Sequence, residues 1–563
     1  MDYGISSKDA NALAMELASS LNLHSHKEIT PSATLKDIIL NDKDALKDLI
    51  SDKLYQDFGE TIFEIGLEDD GTSMFLNKID YSSCFNNVKK VADELDADIT
   101  LLHKRNTQVL NTTCAAQSES KEQISNYSHV LIRKRPGLVQ NLTELRICVA
   151  GNVDAGKSTL LGVLTKGVLD DGRGKARVNL FRFKHEMETG RTSSVGNEIM
   201  GFDSVGNIVN ATMGKQKIGW DDICLQSSKV VTFLDLAGHE KYLKTTVFGM
   251  TGCSPDFVML MVGANAGIIG MTKEHLGLAL ALQVPVFIVI TKIDMCPANV
   301  LETTINQLTK ILKSSGCRKI PIFVKSTGDV LITSGRFVSE RVCPIFQVSN
   351  VTGEGLDLLK MFINLLHASS TKYDTKSPVE YQITDTFSVP GVGTVVSGNI
   401  MSGIVHVGDS LLLGPDSLGN FVPTIVKSIH RKRVNVPCAS AGQGASFALK
   451  KVKRASIRKG MVMLGKSLEP KAVMEFDAEI LVLYHSTTIK ERYQAMLHCG
   501  GVRQTARITT MNQQILRTGD RAIVRFRFMQ HPEYIKVGTK VLFREGRTKG
   551  VGKVVALVEE ETG

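Results

Sequence analysis

The octapeptide Gly151-Asn152-Val153-Asp154-Ala155-Gly156-Lys157-Ser158 follows the apolar run LRICVA and opens the helical stretch KSTLLGVLTKG. Backbone N–H groups in such a turn converge on phosphate oxygens, and the dipole of the following helix favours the same anion. Lys157 has the charge and reach for the β- and γ-phosphates of a nucleotide, Ser158 offers a hydroxyl to Mg2+, and Thr159 extends the motif. A second run ends in DLAGHEKY. There Asp235 can face the metal, usually through water, and Gly238 can present its N–H to the terminal phosphate. His239 has two readings: it orients the attacking water, or it is a polar residue opening a helix. A third motif, Thr291-Lys292-Ile293-Asp294, closes the fourth apolar run. Asp294 could accept hydrogen bonds from N1–H and the N2 amino group of guanine while the Lys292 stem packs on the ring. A fourth, beginning at Ser349-Asn350, closes the fifth run and would lie against the base. Any one of these arises by chance; four at successive strand ends indicate GTP/GDP binding and Mg2+-dependent hydrolysis. An ATP site would have no use for Asp294.

These residues need strand ends to hold them. LRICVAG, KVVTFLDLAG, DFVMLMVGA, PVFIVITKID and PIFQVSN are apolar throughout and alternate with amphipathic stretches, as strands of a parallel sheet buried on both faces do. The expected fold is an α/β P-loop domain with a doubly wound sheet over 141–370. After the linker SSTKYDTKS, short alternating strands punctuated by glycine suggest two antiparallel β-barrels, at 376–468 and 472–557. Residues 1–140 read as an α+β region of unknown role. In it TIFEIGLEDDGTSMFLNKI suggests a hairpin about an Asp-Gly turn, a helix spans about Tyr81–Leu95, and 106–127 form a loop.

Charge is unevenly distributed along the 563 residues. Residues 1–127 hold 22 acidic and 12 basic side chains, whereas 376–563 hold 15 acidic and 27 basic, in a chain of net charge +9. A basic C-terminal part suits a polyanion such as RNA. IHRKR (429–433) and LKKVKRASIRK (449–459) are candidate backbone contacts, or simply solvated loops; few aromatics interleave with them, which favours structured RNA over single strands. The 10 cysteines form no C-x-x-C pair, which excludes a zinc ribbon and points to a reducing, cytoplasmic setting. No secretion signal and no membrane-spanning run is expected.

Residues 145–555 resemble a translational GTPase of the elongation factor Tu and elongation factor one-alpha type. GNVDAGKST is similar to that family's GHVDxGKT, DLAGHEKY to its DxPGHxxY, VPGVGTVVSGNIMSGIVHVGD to the start of its second domain and REGRTKGVGKV to the end of its third. Within the family the GTP-binding protein 1/2 branch is the most similar, with GRTSSVGNE in switch I. The resemblance implies that His239 positions water, that the three core domains bind aminoacyl-tRNA, and that a monomer acts on the ribosome, with an exchange factor as a further partner. A role in ribosome rescue, termination or RNA decay through a protein partner is the alternative, and the GTPase subunit of sulfate adenylyltransferase is a remoter one. Three departures stand out. Switch I RGITI becomes RTSSV, where register assigns the metal-binding hydroxyl to Ser194 with Thr192 as fallback; Ser193 loosens the apolar gate that Val153 half-keeps. The switch II proline is Ala237. The asparagine of the guanine motif is Thr291.

Overall fold

The computed structural model describes residues 34–68, 72–109, 123–139, 142–181, 183–210, 218–338, 341–367, 373–546 and 548–558. The described residues fall into two compact units: those within 34–49, 64–91 and 105–128, and those within 50–63, 92–104 and 129–558. In the first, Thr34 caps the helix Leu35–Asn41 by accepting from the Asp37 N–H, and the buried Tyr81 hydroxyl donates to Ser128 Oγ at 2.9 Å. The helix expected at Tyr81–Leu95 spans Lys78–Glu94. Strands β1 (Glu60–Ile65), β2 (Ala97–Val109) and β3 (Gln123–Lys134) form a sheet in the order β1-β3-β2. The second arm of the expected hairpin is not a strand: after a single bridge between Leu67 and Ser73, Phe75 turns to φ 50° and breaks the extended run. The turn itself, 69–71, lies outside the described residues. The segment read as a loop is partly strand, since β2 continues to Val109 and β3 begins at Gln123; its middle also lies outside the described residues.

The nucleotide-type domain is built on β4 (Thr143–Gly151), β5 (Gly196–Phe202), β6 (Ile208–Val209), β7 (Lys229–Asp235), β8 (Phe257–Gly263), β9 (Val286–Thr291), β10 (Ile320–Phe323) and β11 (Val342–Gln347). Their order is β10-β11-β9-β8-β4-β7-β5-β6. The five apolar runs are β4, β7, β8, β9 and β11, all mutually parallel; β7, β8 and β9 are buried at every position. The sheet is mixed, because β5 runs antiparallel to both of its neighbours, β7 and β6. Gly196, Asn197 and Glu198 at the start of β5 are not apolar, so this strand lacks the signature of the central ones. β4 is central, and its last residue meets β8 so closely that a Cβ on Gly151 would stand 2.4 Å from the Met261 carbonyl oxygen. One face is filled by Leu160, Leu164, Phe287, Phe346 and Phe362, the other by Leu243, Val247, Leu276 and Leu308.

Six strands between Glu380 and Leu464 close the first barrel and six between Glu475 and Val558 the second. Alternation is plain in Glu475–Tyr484, where Phe476, Ala478, Ile480 and Val482 face inward. Charged contacts seat both barrels on the preceding domain. Glu144 on β4 pairs with Lys432 at 2.7 Å and Arg431 at 3.5 Å, and Arg146 Nη1 donates to Asn399 Oδ1 at 2.7 Å. Arg544 pairs with Glu274 at 2.8 Å. Within IHRKR, by sequence an RNA contact or a solvated loop, these contacts engage Arg431 and Lys432 inside the molecule, while His430 and Arg433 stay exposed. Arg431 is fully buried, Lys432 is paired with Glu144, and Arg433 lies over the Trp220 ring at 4.9 Å. Among the described residues no helix is long and apolar enough to cross a membrane, and every described cysteine is free.

Candidate nucleotide-binding site

Beyond β4 the chain turns through left-handed backbone at Asp154 (φ 62°) and Gly156 (φ 77°) into the helix Lys157–Lys166. Lys157, only 7% exposed, donates to the carbonyls of Gly151 at 3.2 Å and Asn152 at 2.7 Å. Burial lowers its pKa to about 8, against the opposing pull of Asp235 and Asp154. The ammonium thus sits inside the loop, beside the N–H groups that a phosphate would meet.

Three oxygens converge below it. Ser158 Oγ donates to Asp235 Oδ2 at 2.7 Å and lies 2.9 Å from Thr192 Oγ1, which itself donates to Asp235 Oδ2 at 3.3 Å. Burial raises the Asp235 pKa even though Ser158, Lys157 and Thr192 oppose it, and its Oδ1 has no hydrogen-bond partner among the described residues. An all-oxygen donor set with one unsatisfied carboxylate oxygen suits a hard divalent cation. Ser194, which the register favoured, is elsewhere: its hydroxyl donates to Glu186 Oε1 at 3.3 Å. Glu186 also accepts from the Ser193 N–H and Ser193 Oγ, both at 2.7 Å, and from the Ser194 N–H at 3.2 Å. This buried carboxylate folds the two serines back and leaves Thr192 at the cluster. Its helix, Lys184–Thr189, looks in sequence like any short polar helix.

Val153, Thr159, Thr192, Gly238 and His239 line one pocket with the P-loop. Gly238 is pressed against that loop; a Cβ there would stand 2.4 Å from Lys157 Nζ and 2.8 Å from the Gly151 carbonyl oxygen. His239 caps a turn, as one of its two readings has it, and also stands in the pocket lining, where the other would need it. Its Nδ1 accepts from the Lys241 N–H at 3.1 Å as the cap of a short 3-10 turn, while the residue lines the pocket. Arg177 and Arg191 line it too; Arg191 opens the switch I stretch RTSSV, whereas no motif signalled Arg177.

On the other side of the loop, fully buried Thr291 donates to the Ala155 carbonyl at 2.9 Å. Lys292 adopts φ 62°, which starts the 3-10 turn Ile293–Met295 and leaves Asp294 exposed to solvent. Ser349 Oγ accepts from the N–H groups of Val351 at 3.2 Å and Thr352 at 3.0 Å, fixing the next loop, in which Asn350 is 7% exposed. One buried residue escaped the sequence reading altogether. His275, in the helix Gly270–Ala281, accepts the Gly151 N–H on Nδ1 at 3.0 Å. Burial, helped by Lys157 and Arg544, lowers its pKa to about 3, so it is neutral and bears its proton on Nε2. A single histidine in an apolar helix looks like core.

Comparison with known proteins agrees with this geometry. The Elongation factor Tu GTP binding domain matches residues 143–368, and Elongation factor Tu domain 2 matches 393–464. GTP-binding protein 1 of Xenopus laevis is 56% identical over 532 residues, which cover 94% of this chain and 78% of that protein. GTP-binding protein 2 of Homo sapiens is 46% identical over 508 residues, 89% and 82% of the two chains. Elongation factor 1-alpha of Hyperthermus butylicus is 26% identical and covers 74% of this chain and 97% of its own. Among solved structures, a bacterial selenocysteine-specific elongation factor shares the fold with a TM-score of 0.53 at 20% identity, over 73% of this chain and 58% of that one. With the P-loop, the DLAGH turn and the barrels all in place, the chain belongs to the GTP-binding protein 1/2 family of elongation-factor-Tu-type GTPases.

Proposed function

We propose that this GTPase is a translation-elongation-type factor that carries structured RNA, aminoacyl-tRNA foremost, to the ribosome in the cytoplasm as a GTP/GDP switch. The observation that carries the proposal is the convergence of Ser158, Thr192 and Asp235 in the pocket that also holds Lys157 and His239. In this reading Gly151 to Ser158 surround the phosphates, and Lys157 exchanges its bonds to the loop carbonyls for phosphate oxygens. Ser158, Thr192 and Asp235 hold Mg2+, with Thr192 in the role that register offered to Ser194. A magnesium ion bound there supplies charge neutralisation to the phosphates. The Gly238 N–H meets the terminal phosphate. His239 orients water through Nε2, since Nδ1 is engaged by Lys241. Phosphoryl transfer depends on positioning and electrostatics, so no proton abstraction by His239 is required. Lys292 and Asp294 take the base.

For RNA, the exposed Lys450, Lys451, Lys453 and Arg454 of the first barrel are the stronger stretch, since IHRKR is occupied by Glu144 and Trp220. The deciding experiment is filter binding of charged and uncharged tRNA to the protein with GTP and with GDP. Preference for charged tRNA in the GTP form is expected; no binding of either tRNA in either state would remove the RNA-delivery reading and favour a protein partner.

A further inference from the structure

One cation of the phosphate pocket has no acceptor on its own chain. Arg177 lies in the 3-10 helix Lys175–Leu180 and lines the pocket with Lys157, Ser158, Gly238 and His239. The buried arginines Arg133 and Arg431 each meet a carboxylate, Glu60 and Glu144. The half-buried Arg177 guanidinium makes no hydrogen bond or ion pair among the described residues.

Its segment is nonetheless fixed. The Asp170 carboxylate accepts from the N–H groups of Gly172 and Gly174, both at 3.0 Å, and of Ala176 at 2.9 Å. The Arg177 N–H donates to the Gly174 carbonyl at 3.2 Å. This turn is pressed onto the helix Lys157–Lys166, since a Cβ on Gly162 would run into the Ala176 carbonyl. The side chain then passes between two glycines. A Cβ on Gly174 would stand 2.6 Å from Arg177 Nε, and one on Gly190 would stand 3.2 Å from its Nη2. Gly190 comes two residues before Thr192, whose hydroxyl lies 2.9 Å from Ser158 Oγ. The guanidinium is thus brought beside the segment that carries the hydroxyl assigned to the metal. Arg191, the other arginine of the lining, is exposed to solvent.

Hydrolysis forms a bond from a water oxygen to the γ-phosphorus. It breaks the bond from that phosphorus to the β–γ bridging oxygen, whose electron pair leaves with GDP, and a water proton ends on the released phosphate. Negative charge is redistributed over these oxygens as the bond breaks, and a planar guanidinium can meet two of them at once. We propose that Arg177 is a catalytic residue of this GTPase, an arginine supplied in cis that donates to the β–γ bridging oxygen and to a γ-oxygen as the phosphoryl group is transferred. This rests on the reading of the pocket as the phosphate site.

The test compares full-length wild type, Arg177→Ala and Arg177→Lys, without ribosomes and with magnesium present. Single-turnover GTP hydrolysis is measured beside dissociation constants for GTP, for GDP and for GDP with aluminium fluoride, which resembles the phosphoryl group in transfer. Wild type should bind the aluminium fluoride complex unaided. Arg177→Ala should hydrolyse GTP about a hundredfold more slowly and lose affinity for that complex by a similar factor, the scale of one electrostatic contact made in the transition state. Its affinities for GTP and GDP should stay as in wild type. Arg177→Lys should regain part of the rate, because it keeps the charge and loses the fork. It also carries the comparison if the alanine variant fails to fold. Hydrolysis by Arg177→Ala at the wild-type rate would overturn the proposal. So would GTP and GDP weakened as much as the aluminium fluoride complex, which would make Arg177 a ground-state contact. Wild type that hydrolyses no GTP would overturn the reading of the phosphate site itself, and this proposal with it.

Discussion

Thr291 and His239 each serve two structural demands at once, and that makes their substitutions informative. The Thr291 hydroxyl joins the end of β9 to the P-loop through the Ala155 carbonyl, in a position with no solvent access. Thr291→Val keeps the shape but leaves that carbonyl unpaired, a loss of roughly 1–3 kcal/mol. GTP and ATP should both dissociate about tenfold faster, as measured by release of a fluorescent nucleotide, because the brace acts on the phosphate loop. Unchanged release would mean that the loop is held elsewhere. At His239 the cap and the pocket must be separated. His239→Ala loses the Lys241 N–H contact as well as the ring, whereas His239→Asn keeps a cap acceptor and removes the ring. Both variants should bind GTP as wild type does and lose ribosome-stimulated hydrolysis by about a hundredfold or more, the scale of a positioned catalytic group. Full single-turnover hydrolysis by His239→Asn would reduce His239 to a helix cap.

At the scale of elements, β4 is the common support of site and barrel: its far end becomes the P-loop and its near end carries Glu144. Burial alone would raise the Glu144 carboxyl, but Lys432, then Arg431 and Arg146, outweigh it and lower the pKa from 4.5 to about 2. Because the folded carboxyl is the more acidic, this group stabilises the folded chain above about 4.5 and stops doing so as pH falls toward about 2. Glu144→Ala leaves the buried Arg431 and the part-buried Lys432 without their carboxylate, a cost of about 3–5 kcal/mol. Thermal unfolding should show a lowered Tm at neutral pH and a smaller further fall between pH 4.5 and pH 2 than wild type. An acid response equal to that of wild type would place the acid-sensitive group elsewhere. The helix Gly270–Ala281 is a second support: His275 holds the Gly151 N–H while its neighbour Glu274 pairs with Arg544 and Lys549 of the second barrel.

For the whole molecule, the acidic segment 1–127 is less separable from the rest of the chain than a count of charges suggests. Glu60 is buried against Arg133 and Lys229, and Lys229 also donates to the carbonyls of Asn364 and Leu366. A truncation starting at residue 128 would leave both cations without Glu60, so the intact chain is the proper reagent for RNA work. RNA affinity should fall steeply with salt; four phosphate contacts from Lys450, Lys451, Lys453 and Arg454 give a log–log slope of about −3 to −4. Replacing the three lysines by alanine should reduce that slope by about 2 or more. A slope unaffected by these substitutions would locate the RNA surface elsewhere.

The P-loop, Asp235, Gly238 and the five central strands were legible in the sequence because each depends on local pattern: apolar runs for a sheet buried on both faces, glycines where backbone approaches backbone, and polar residues at strand ends. The barrels were legible for the same reason, through alternation. What only the tertiary structure decided were choices among chemically equal residues and partnerships across long sequence distances. Thr192 rather than Ser194 meets Ser158 and Asp235 because Glu186 engages both serines. Arg431 and Lys432 look like RNA contacts until Glu144, nearly three hundred positions away, is placed between them. His275 looks like core until Gly151 is brought to its ring. A hydroxyl, a cation or an imidazole has many permissible partners, and its role is set by which of them the fold brings within hydrogen-bond reach.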